Sequence, residues 1–267
     1  MATYVHQLIS QSATRTPLAP ALTLKDRQLN YQELDQYIHC IANGYQNLSI
    51  TRNDRIGIYL HKTIENVACI FASSLANSVF VPINPVLKAA QVNHIINDCE
   101  IKLLITNKGR FKALLPILSL LPSLTHIIIT DGDTNETIEG IKIINWDTFT
   151  KVAKKEIQII NTASDMAAIL YTSGSTGKPK GVVLSHSNIV LGAESVAQYL
   201  NNNAEDTVLA VLPLSFDYGL SQLTTSFLVG ASCVLLDYLL PNDVLKAIEK
   251  HKITGLAAVP PLWSQLC

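Results

Sequence analysis

The feature that most restricts the fold of this chain is an alternation of short, wholly apolar runs with longer segments of helical periodicity. The apolar runs predict strands at residues 55–60, 79–83, 102–106, 126–130, 207–214, 233–237 and 255–259. The periodic segments predict helices at residues 63–76, 91–98, 112–121, 187–200, 218–229 and 243–252. Apolar strands that alternate with helices are typical of parallel sheets covered on both faces. We therefore predict an α/β fold of layered, mostly parallel sheets flanked by helices.

Composition and charge exclude several classes of protein. The chain has 267 residues, of which 48% are hydrophobic, and a net charge of −1. Binding to nucleic acid needs a surplus of Lys and Arg, so we expect no nucleic-acid partner. No apolar run reaches the roughly 20 residues of a membrane span, and the N-terminus lacks the basic start and apolar core of a secretory signal. The five cysteines are widely spaced and form no CxxC pair, which predicts reduced thiols in a cytoplasmic protein.

A polar segment at residues 171–181 lies between two apolar runs and reads Tyr-Thr-Ser-Gly-Ser-Thr-Gly-Lys-Pro-Lys-Gly. Glycines let backbone N–H groups turn toward an anion, and the hydroxyls and lysines add donors and positive charge. Segments rich in Gly, Ser and Thr are usually loops without a ligand, but a linker needs neither two lysines nor flanking strands. The segment is predicted to hold a polyanion, and the triphosphate of a nucleotide is the obvious ligand.

The same segment does not match the Walker A loop of kinases and GTPases. That loop requires Gly, four residues, and then Gly-Lys followed by Ser or Thr. Here Gly177-Lys178 is followed by Pro179, and Thr172 stands five positions before Gly177. A P-loop nucleotide hydrolase or kinase is therefore a poor fit.

The order of residues in the segment closely resembles the phosphate-loop signature of the AMP-forming adenylating enzymes. This superfamily includes acyl-CoA synthetases, the adenylation domains of nonribosomal peptide synthetases, and luciferase. Residues 29–34, 74–85, 212–217 and 259–262 resemble further family segments in the expected order, although Asn77-Ser78 replaces the usual small pair. The resemblance covers essentially the whole chain and implies the first half of the family's large N-terminal domain. On that basis residues 1–267 are a partial AMP-binding domain, with subdomains at about 50–185 and at 1–45 plus 200–267.

The resemblance implies that a carboxylate attacks the α-phosphate of ATP to give an acyl-adenylate and pyrophosphate. The residues implied for the ATP phosphates are Thr172, Ser173, Gly174, Ser175, Thr176, Gly177, Lys178 and Lys180. Thr176 is also implied as a contact of Mg²⁺. Because the attacking carboxylate is already ionised, the reaction needs positioning and charge neutralisation, and no catalytic residue is assigned in this chain. The acyl group would then pass to a thiol, either coenzyme A or the phosphopantetheine arm of an acyl or peptidyl carrier protein.

Phe216-Asp217 is the most informative pair outside the polar segment. Family members that activate amino acids carry Phe-Asp at this point, and the Asp pairs with the substrate's ammonium group. A carboxylate that is partly buried needs a cation or several donors, which an amino acid would supply. Alternatively, Asp217 caps the helix that begins near Tyr218. By the same resemblance Phe216 and His186 would lie near the acyl site, although a lone histidine is more often structural.

Several family elements are not found in the sequence: the Tyr-Gly-x-Thr-Glu and Thr-Gly-Asp elements and the C-terminal domain with its catalytic lysine. We therefore expect this chain to be a portion of the catalytic unit that adenylates weakly or not at all alone. The leading interpretation is activation of a carboxylic acid, favouring an amino acid. The alternatives are an acyl-CoA synthetase for a fatty or aryl acid and a non-catalytic nucleotide-binding remnant.

Overall fold

The structure is a computed structural model that describes residues 2–172 and 179–266. The chain divides into two compact units. Unit 1 comprises Met1–Gln36, Lys62–Ile64 and Ser187–Cys267, and unit 2 comprises Tyr37–His61 and Glu65–His186. Within the described ranges, no helix is both long and apolar enough to cross a membrane.

Helices and strands alternate along most of the chain. The helices are α1 (Gln7–Arg15), α2 (Tyr31–Asn47), α3 (Ile64–Leu75), α4 (Ala89–Asp98), α5 (Lys108–Leu114), α6 (Trp146–Thr150), α7 (His186–Leu200), α8 (Asp217–Val229), α9 (Pro241–His251) and α10 (Pro260–Leu266). The strands are β1 (Pro20–Leu24), β2 (Arg27–Asn30), β3 (Arg55–Tyr59), β4 (Val79–Pro82), β5 (Ile101–Thr106), β6 (His126–Ile129), β7 (Lys142–Asn145), β8 (Met166–Thr172), β9 (Lys180–Ser185), β10 (Thr207–Ala210), β11 (Ser232–Leu235) and β12 (Gly255–Leu256).

Unit 2 is built on a seven-stranded sheet in the order β7-β6-β5-β3-β4-β8-β9. The pairs from β7 to β8 are parallel, and β9 alone pairs antiparallel, with β8. The central strands are buried almost throughout, as expected for parallel strands with helices on both faces. This confirms the prediction of mostly parallel sheets.

The β8–β9 hairpin places the two ends of the segment at residues 173–178 opposite each other. Thr172 pairs with Lys180, and Tyr171 pairs with Gly181. A Cβ atom at Gly181 would lie 2.7 Å from Cγ2 of Ile169, so the close approach of the two strands requires glycine there.

Unit 1 contains a five-stranded sheet in the order β12-β10-β11-β1-β2. β2 pairs antiparallel with β1, and the other pairs are parallel. Buried apolar side chains from β10, β11, α9 and α10 pack together, including Leu209, Val234, Val244 and Leu262. α8 contributes the fully buried Leu223 and Phe227.

Three predicted boundaries were wrong for local reasons. The strand predicted at 207–214 ends at Ala210, shortly before Pro213, which has no N–H for a sheet. The helix predicted at 112–121 is α5 followed by a 3₁₀ helix at Leu115–Leu120, because Pro116 cannot donate to the carbonyl of residue 112. α7 begins at His186, one residue before the predicted start at residue 187.

Candidate functional site

The polar segment is described only at its two ends. Six residues predicted to contact phosphates lie outside the described residues: Ser173, Gly174, Ser175, Thr176, Gly177 and Lys178. The predicted contact of Thr176 with Mg²⁺ therefore also lies outside them. Thr172 and Lys180 are described, and both side chains are exposed. Thr172 ends β8 at the carboxyl edge of the parallel strands, where open α/β sheets bind their ligands.

Helix α4 contacts both strands of the hairpin beside this segment. The Tyr171 hydroxyl donates a hydrogen bond of 2.6 Å to Oδ2 of Asp98. At the start of the second strand, Nε2 of His94 lies 3.1 Å from the carbonyl oxygen of Pro179, the residue directly before β9. The rings of His94 and Tyr171 meet edge to face at 6.5 Å. Residues 94 and 98 are one helical turn apart, so one face of α4 orients both ends of the segment.

The Tyr171 hydroxyl keeps its proton at neutral pH. Burial raises the pKa of Tyr171, and its hydrogen bond to the Asp98 carboxylate raises it further. The group is therefore a donor over the whole physiological range. Sequence reasoning predicted a helix at residues 91–98 but gave His94 and Asp98 no role, because no local pattern links a helix to a distant hairpin.

His186 is fully buried inside unit 2. Its Nδ1 lies 3.5 Å from Oγ of Ser74, and its Nε2 lies 3.2 Å from Nδ2 of Asn161. Burial lowers the pKa of His186 to about 4, against the opposing effect of Asp165, so the ring is neutral at pH 7. These contacts are those of a structural histidine, and the role predicted for His186 near the acyl site stays a prediction.

Phe216 and Asp217 lie where the chain turns from β10 into α8. The amide N–H of Phe216 donates to the carbonyl oxygen of Pro213 at 3.1 Å. Phe216 occupies the N-cap position and Asp217 is the first helical residue, so the alternative that Asp217 caps the helix is wrong. The Asp217 carboxylate is exposed in the first turn, where the helix dipole favours negative charge.

Gly219 makes this turn possible. A Cβ atom at this position would overlap the carbonyl oxygen of Pro213 and approach that of Leu212. The amides of Gly219 and Leu220 both donate to the carbonyl oxygen of Phe216, at 2.9 Å each. The first turn of α8 is therefore packed directly on the segment that precedes it.

A buried lysine contacts the same segment. The Lys62 side chain is 6% exposed, and lysine is seldom buried unless it is paired. Its Nζ donates to the carbonyl oxygens of Val211 at 2.7 Å and Leu212 at 3.3 Å, and forms an ion pair of 3.0 Å with Oδ1 of Asp237. All three ammonium donors are thus used.

Lys62 connects the carboxyl ends of two neighbouring parallel strands of unit 1. Val211 follows β10, and Asp237 lies two residues after β11. Burial lowers the pKa of the Lys62 ammonium, and the charge of Asp237 opposes that effect. Sequence reasoning missed Lys62, since it stands between a predicted strand and a predicted helix without any motif.

A cavity of about 330 Å³ lies within unit 1, and we call it the α7–α8 cavity. Its wall includes Tyr199 from α7, Tyr218, Ser221, Gln222 and Thr225 from α8, and Leu256 from β12. The lining residues on α8 run from Tyr218 to Ser226, and Asp217 is not one of them.

Metal ligands are scarce in the described part of the chain. Within residues 2–172 and 179–266, no group of three or more His, Cys, Asp or Glu side chains is arranged to hold a metal ion. Mg²⁺ takes oxygen ligands and commonly binds through one or two carboxylates plus substrate phosphates.

The described residues define an α/β protein built on mostly parallel sheets, and comparison with known proteins identifies its family. Residues 9–267 match the family described as AMP-binding enzyme, and the chain belongs to this family.

Individual relatives are similar over almost the whole chain. A plipastatin synthase protein of Bacillus subtilis (strain 168) is 30% identical over 271 aligned residues, which cover 98% of this chain and 7% of that protein. The solved structure of O-succinylbenzoate coenzyme A synthetase (MenE) from Bacillus subtilis, in complex with ATP and magnesium ion, is 27% identical with a TM-score of 0.80. The match covers 97% of this chain and 50% of the MenE chain.

A third relative is VinN, solved in complex with L-aspartate. It is 26% identical to this chain with a TM-score of 0.82, and the match covers 98% of this chain and 64% of VinN. The chain therefore spans less than two thirds of each of these three relatives.

Proposed function

We propose that the complete reading frame containing this chain activates a carboxylic acid as an acyl-adenylate at the expense of ATP, and that the acid carries an amino group. The observation that carries the proposal is the segment at residues 171–181, whose flanking strands pair as a hairpin at the carboxyl edge of a parallel sheet. Membership of the AMP-binding enzyme family supports it. MenE, a relative solved with ATP and magnesium ion, gives further support.

In this reaction an oxygen of the carboxylate forms a bond to the α-phosphorus of ATP. The bond from that phosphorus to the bridging oxygen breaks, and pyrophosphate leaves with the electron pair. No proton has to be removed from the acid at neutral pH, so the task is to bring two anions together. We assign this task to the hydroxyls, amides and lysines of the eight phosphate-contacting residues. Mg²⁺ would supply further neutralisation of the phosphate oxygens, with Thr176 as its proposed contact.

Asp217 is the proposed partner of the amino group. It is exposed at the start of α8, and its side chain forms no hydrogen bond or ion pair with the described residues. An exposed carboxylate at this position attracts an ammonium group at short range. The likeness to VinN, solved in complex with L-aspartate, supports an amino acid as the substrate.

The acceptor of the activated acyl group is proposed to be a thiol. MenE is a coenzyme A synthetase, which supports coenzyme A as one acceptor class. The likeness to a plipastatin synthase supports a carrier protein's phosphopantetheine arm as the other. The likeness to MenE also favours a second candidate, the synthesis of an acyl-CoA from an acid without an amino group.

Exchange of radioactive pyrophosphate into ATP tests the proposal. The complete reading frame is incubated with single amino acids, fatty acids and aryl acids, and incorporation into ATP is measured. The proposal expects exchange that depends on an amino acid and is lost in Asp217→Ala but kept in Asp26→Ala, a control at an exposed carboxylate of unit 1. Exchange driven only by fatty or aryl acids supports the second candidate. ATP binding without any exchange indicates a non-catalytic nucleotide-binding protein.

The isolated chain provides a further comparison. We propose that residues 1–267 alone exchange pyrophosphate weakly or not at all, because the elements expected for ribose binding and the catalytic lysine are not found in this sequence. Robust turnover by the isolated chain, at the rate of the complete reading frame, contradicts this part of the proposal.

A further inference from the structure

Strand β7 has one open edge. It stands last in the seven-stranded sheet, and among the described residues only β6 pairs with it. The Lys142 amide donates at 2.9 Å to the carbonyl oxygen of Thr125, which directly precedes β6. Because successive peptide groups of a strand point to opposite edges, the amide and carbonyl of Ile143 and the amide of Asn145 point away from β6. An open edge of this kind is a template for a further strand.

Two cavities lie against β7. The first, of about 300 Å³, is lined by Ile143 and Asn145 together with Ile129 and residues 132–137, and we call it the acidic cavity. The second, of about 270 Å³, is lined by β7, the end of α2, α6 and the residue at position 152, and we call it the apolar cavity.

The two cavities serve different faces of the strand. The side chains of a strand alternate between its faces, and Lys142 and Ile144 line the apolar cavity only. The acidic cavity therefore belongs to the face of Ile143 and Asn145, while the apolar cavity extends to the opposite face. A strand added to β7 would direct its side chains alternately to the two cavities.

The acidic cavity is bordered by a loop at residues 131–139 that has four Asp or Glu residues and no Lys or Arg. Nδ2 of Asn145 donates to Oδ1 of Asp133 at 2.6 Å, which joins the loop to β7. Asp133, Glu136 and Glu139 are exposed, and none of them forms an ion pair with a described residue. The acidic cavity therefore favours a positively charged side chain.

The apolar cavity has the opposite preference. Leu48 and Phe149 are buried in its wall, and Ile144 and Val152 are half-buried there. Lys142 is the one charged residue among its described lining residues, and it repels a second cation. Burial of apolar surface is favourable, so this cavity matches an apolar side chain.

We propose that the open edge of β7 is a docking site for an extended segment of a partner protein in which Lys or Arg alternates with apolar residues. The segment pairs with the outward peptide groups of Ile143 and Asn145. Its basic side chains enter the acidic cavity and its apolar side chains enter the apolar cavity. In strand addition of this kind, main-chain hydrogen bonds give affinity and the cavities for alternate side chains give specificity. The site is independent of the adenylation reaction.

A second copy of this chain fits the same edge less well. If two β7 strands paired antiparallel, directly opposite residues would share a face of the joined sheet. Both acidic loops would then lie on that face, and like charges in such positions are destabilising. The charge of the loop therefore favours a basic partner over self-association.

Peptide binding tests the proposed chemistry of the partner. The probe is a fluorescent peptide of about eight residues in which lysine alternates with valine, and its affinity for the 267-residue chain is measured by anisotropy. We expect it to bind at least about tenfold more tightly than a glutamate–valine peptide of equal length, because like charges across an interface are unfavourable. A peptide of the same composition with its lysines in one block should bind as weakly. No binding of the alternating peptide, or equal binding of all three, overturns the proposal.

Amide hydrogen exchange followed by NMR locates the bound peptide. We expect saturating lysine–valine peptide to slow exchange at Ile143 and Asn145 by about tenfold or more, because their outward amides gain acceptors. The amides of Lys142 and Ile144 point toward β6 and should change little. Binding that leaves Ile143 and Asn145 unprotected contradicts the assignment to β7.

Two substitutions separate the edge from the acidic cavity. Ile143→Pro removes an outward N–H and is tolerated in principle at a sheet edge, so we expect at least about tenfold weaker peptide binding. Glu136→Lys reverses one charge of the cavity and is expected to weaken binding by about tenfold, which keeps the proposal testable if Ile143→Pro does not fold. Glu156→Lys, at an exposed glutamate outside both cavities, is the matched control and should bind as wild type does. Wild-type affinity in Glu136→Lys contradicts the role of the acidic cavity.

Sedimentation of the 267-residue chain without peptide tests a second copy as the occupant. We expect no dimer that depends on β7. A dimer that forms with rising concentration and is lost in Ile143→Pro would show that a second copy occupies the edge, and it would overturn the proposal.

Discussion

The hydroxyl of Tyr171 donates a hydrogen bond of 2.6 Å to the Asp98 carboxylate, which joins the last turn of α4 to the hairpin strand that leads into the polar segment. Four residues earlier on the same helix, His94 lies 3.1 Å from the carbonyl oxygen of Pro179 on the opposite side of that segment. One helix therefore orients both strand ends. In the proposed function this contact sets where the triphosphate is held.

Replacing Tyr171 by Phe removes the donor and leaves the ring in contact with His94. We expect the KM for ATP to rise by roughly three- to tenfold, because a net hydrogen bond is worth about 1 kcal/mol. Asp98→Asn keeps an acceptor oxygen and is the matched variant with a smaller expected effect. Both are measured by pyrophosphate exchange in the complete reading frame, with the KM for the acid recorded in parallel. A rise in the KM for the acid with no change in the KM for ATP would contradict a role of this contact in holding ATP.

Lys62 is expected to fix the segment that leads to Asp217. Lys62→Met keeps the length of the side chain and removes its three hydrogen bonds to Val211, Leu212 and Asp237. We expect the amides of Phe216 and Gly219 to exchange with deuterium about tenfold faster, since local opening there becomes easier.

Hydrogen exchange on the 267-residue chain measures that effect, with peptides from unit 2 as an internal reference. Lys246→Met, at an exposed lysine of α9, should leave the exchange pattern unchanged. Asp237→Asn, which weakens the ion pair without removing the lysine, is the second variant if Lys62→Met does not fold. If both variants protect the amides of residues 211–219 from exchange as well as wild type does, Lys62 does not stabilise this segment.

How far the sequence predicted the fold depends on whether the determining interactions were local. The periodic apolar runs predicted most strands after residue 55, because a strand buried on both faces must be apolar throughout. The β1–β2 hairpin was missed because its turn is Lys25-Asp26 instead of a glycine pair, with Lys25 in the left-handed region at φ 55°. Nothing local indicated that β1 would pair with β11, which lies far along the chain.

The residues of the candidate site also fall into those that a local motif predicts and those that only tertiary contacts reveal. The residues proposed to contact phosphates stand in one contiguous motif, and Asp217 stands in another, so the sequence could nominate them. The supporting residues Asp98, His94 and Lys62 act across long sequence separations. Such roles follow from tertiary packing, which has no signature within a short window.

Gly219→Ala is expected to destabilise unit 1 because its Cβ would overlap the Pro213 carbonyl oxygen. Overpacking of this kind costs about 1–3 kcal/mol. Gly192→Ala is the matched control on α7, where a Cβ meets nothing within 4 Å. It should stabilise the chain by about 0.5–1 kcal/mol through the higher helix propensity of alanine. Urea unfolding of the three proteins gives the comparison, and equal losses in both variants would contradict the packing described for α8.

His186 predicts a dependence of stability on pH. Burial lowers its pKa from 6.5 to about 4, so the unfolded chain binds this proton more readily than the folded chain. The contribution of the neutral ring is complete above pH 6.5 and is lost as the pH falls toward 4, by up to about 3 kcal/mol. His186→Gln should flatten the free energy of unfolding over this interval. His39→Gln, at an exposed histidine, should keep the wild-type slope, and an equally steep slope in His186→Gln would contradict the assignment.

The central claim, that residues 171–181 hold the phosphates of ATP for adenylation, is tested most directly through Lys180. Pyrophosphate exchange dependent on an acid is measured as a function of ATP concentration for wild type, Lys180→Ala and the control Lys112→Ala, which removes an exposed lysine of α5. Loss of a charged hydrogen bond to phosphate, worth about 1.5–3 kcal/mol, predicts at least a tenfold rise in the KM for ATP in Lys180→Ala only. Wild-type KM for ATP and wild-type exchange in Lys180→Ala would contradict the claim.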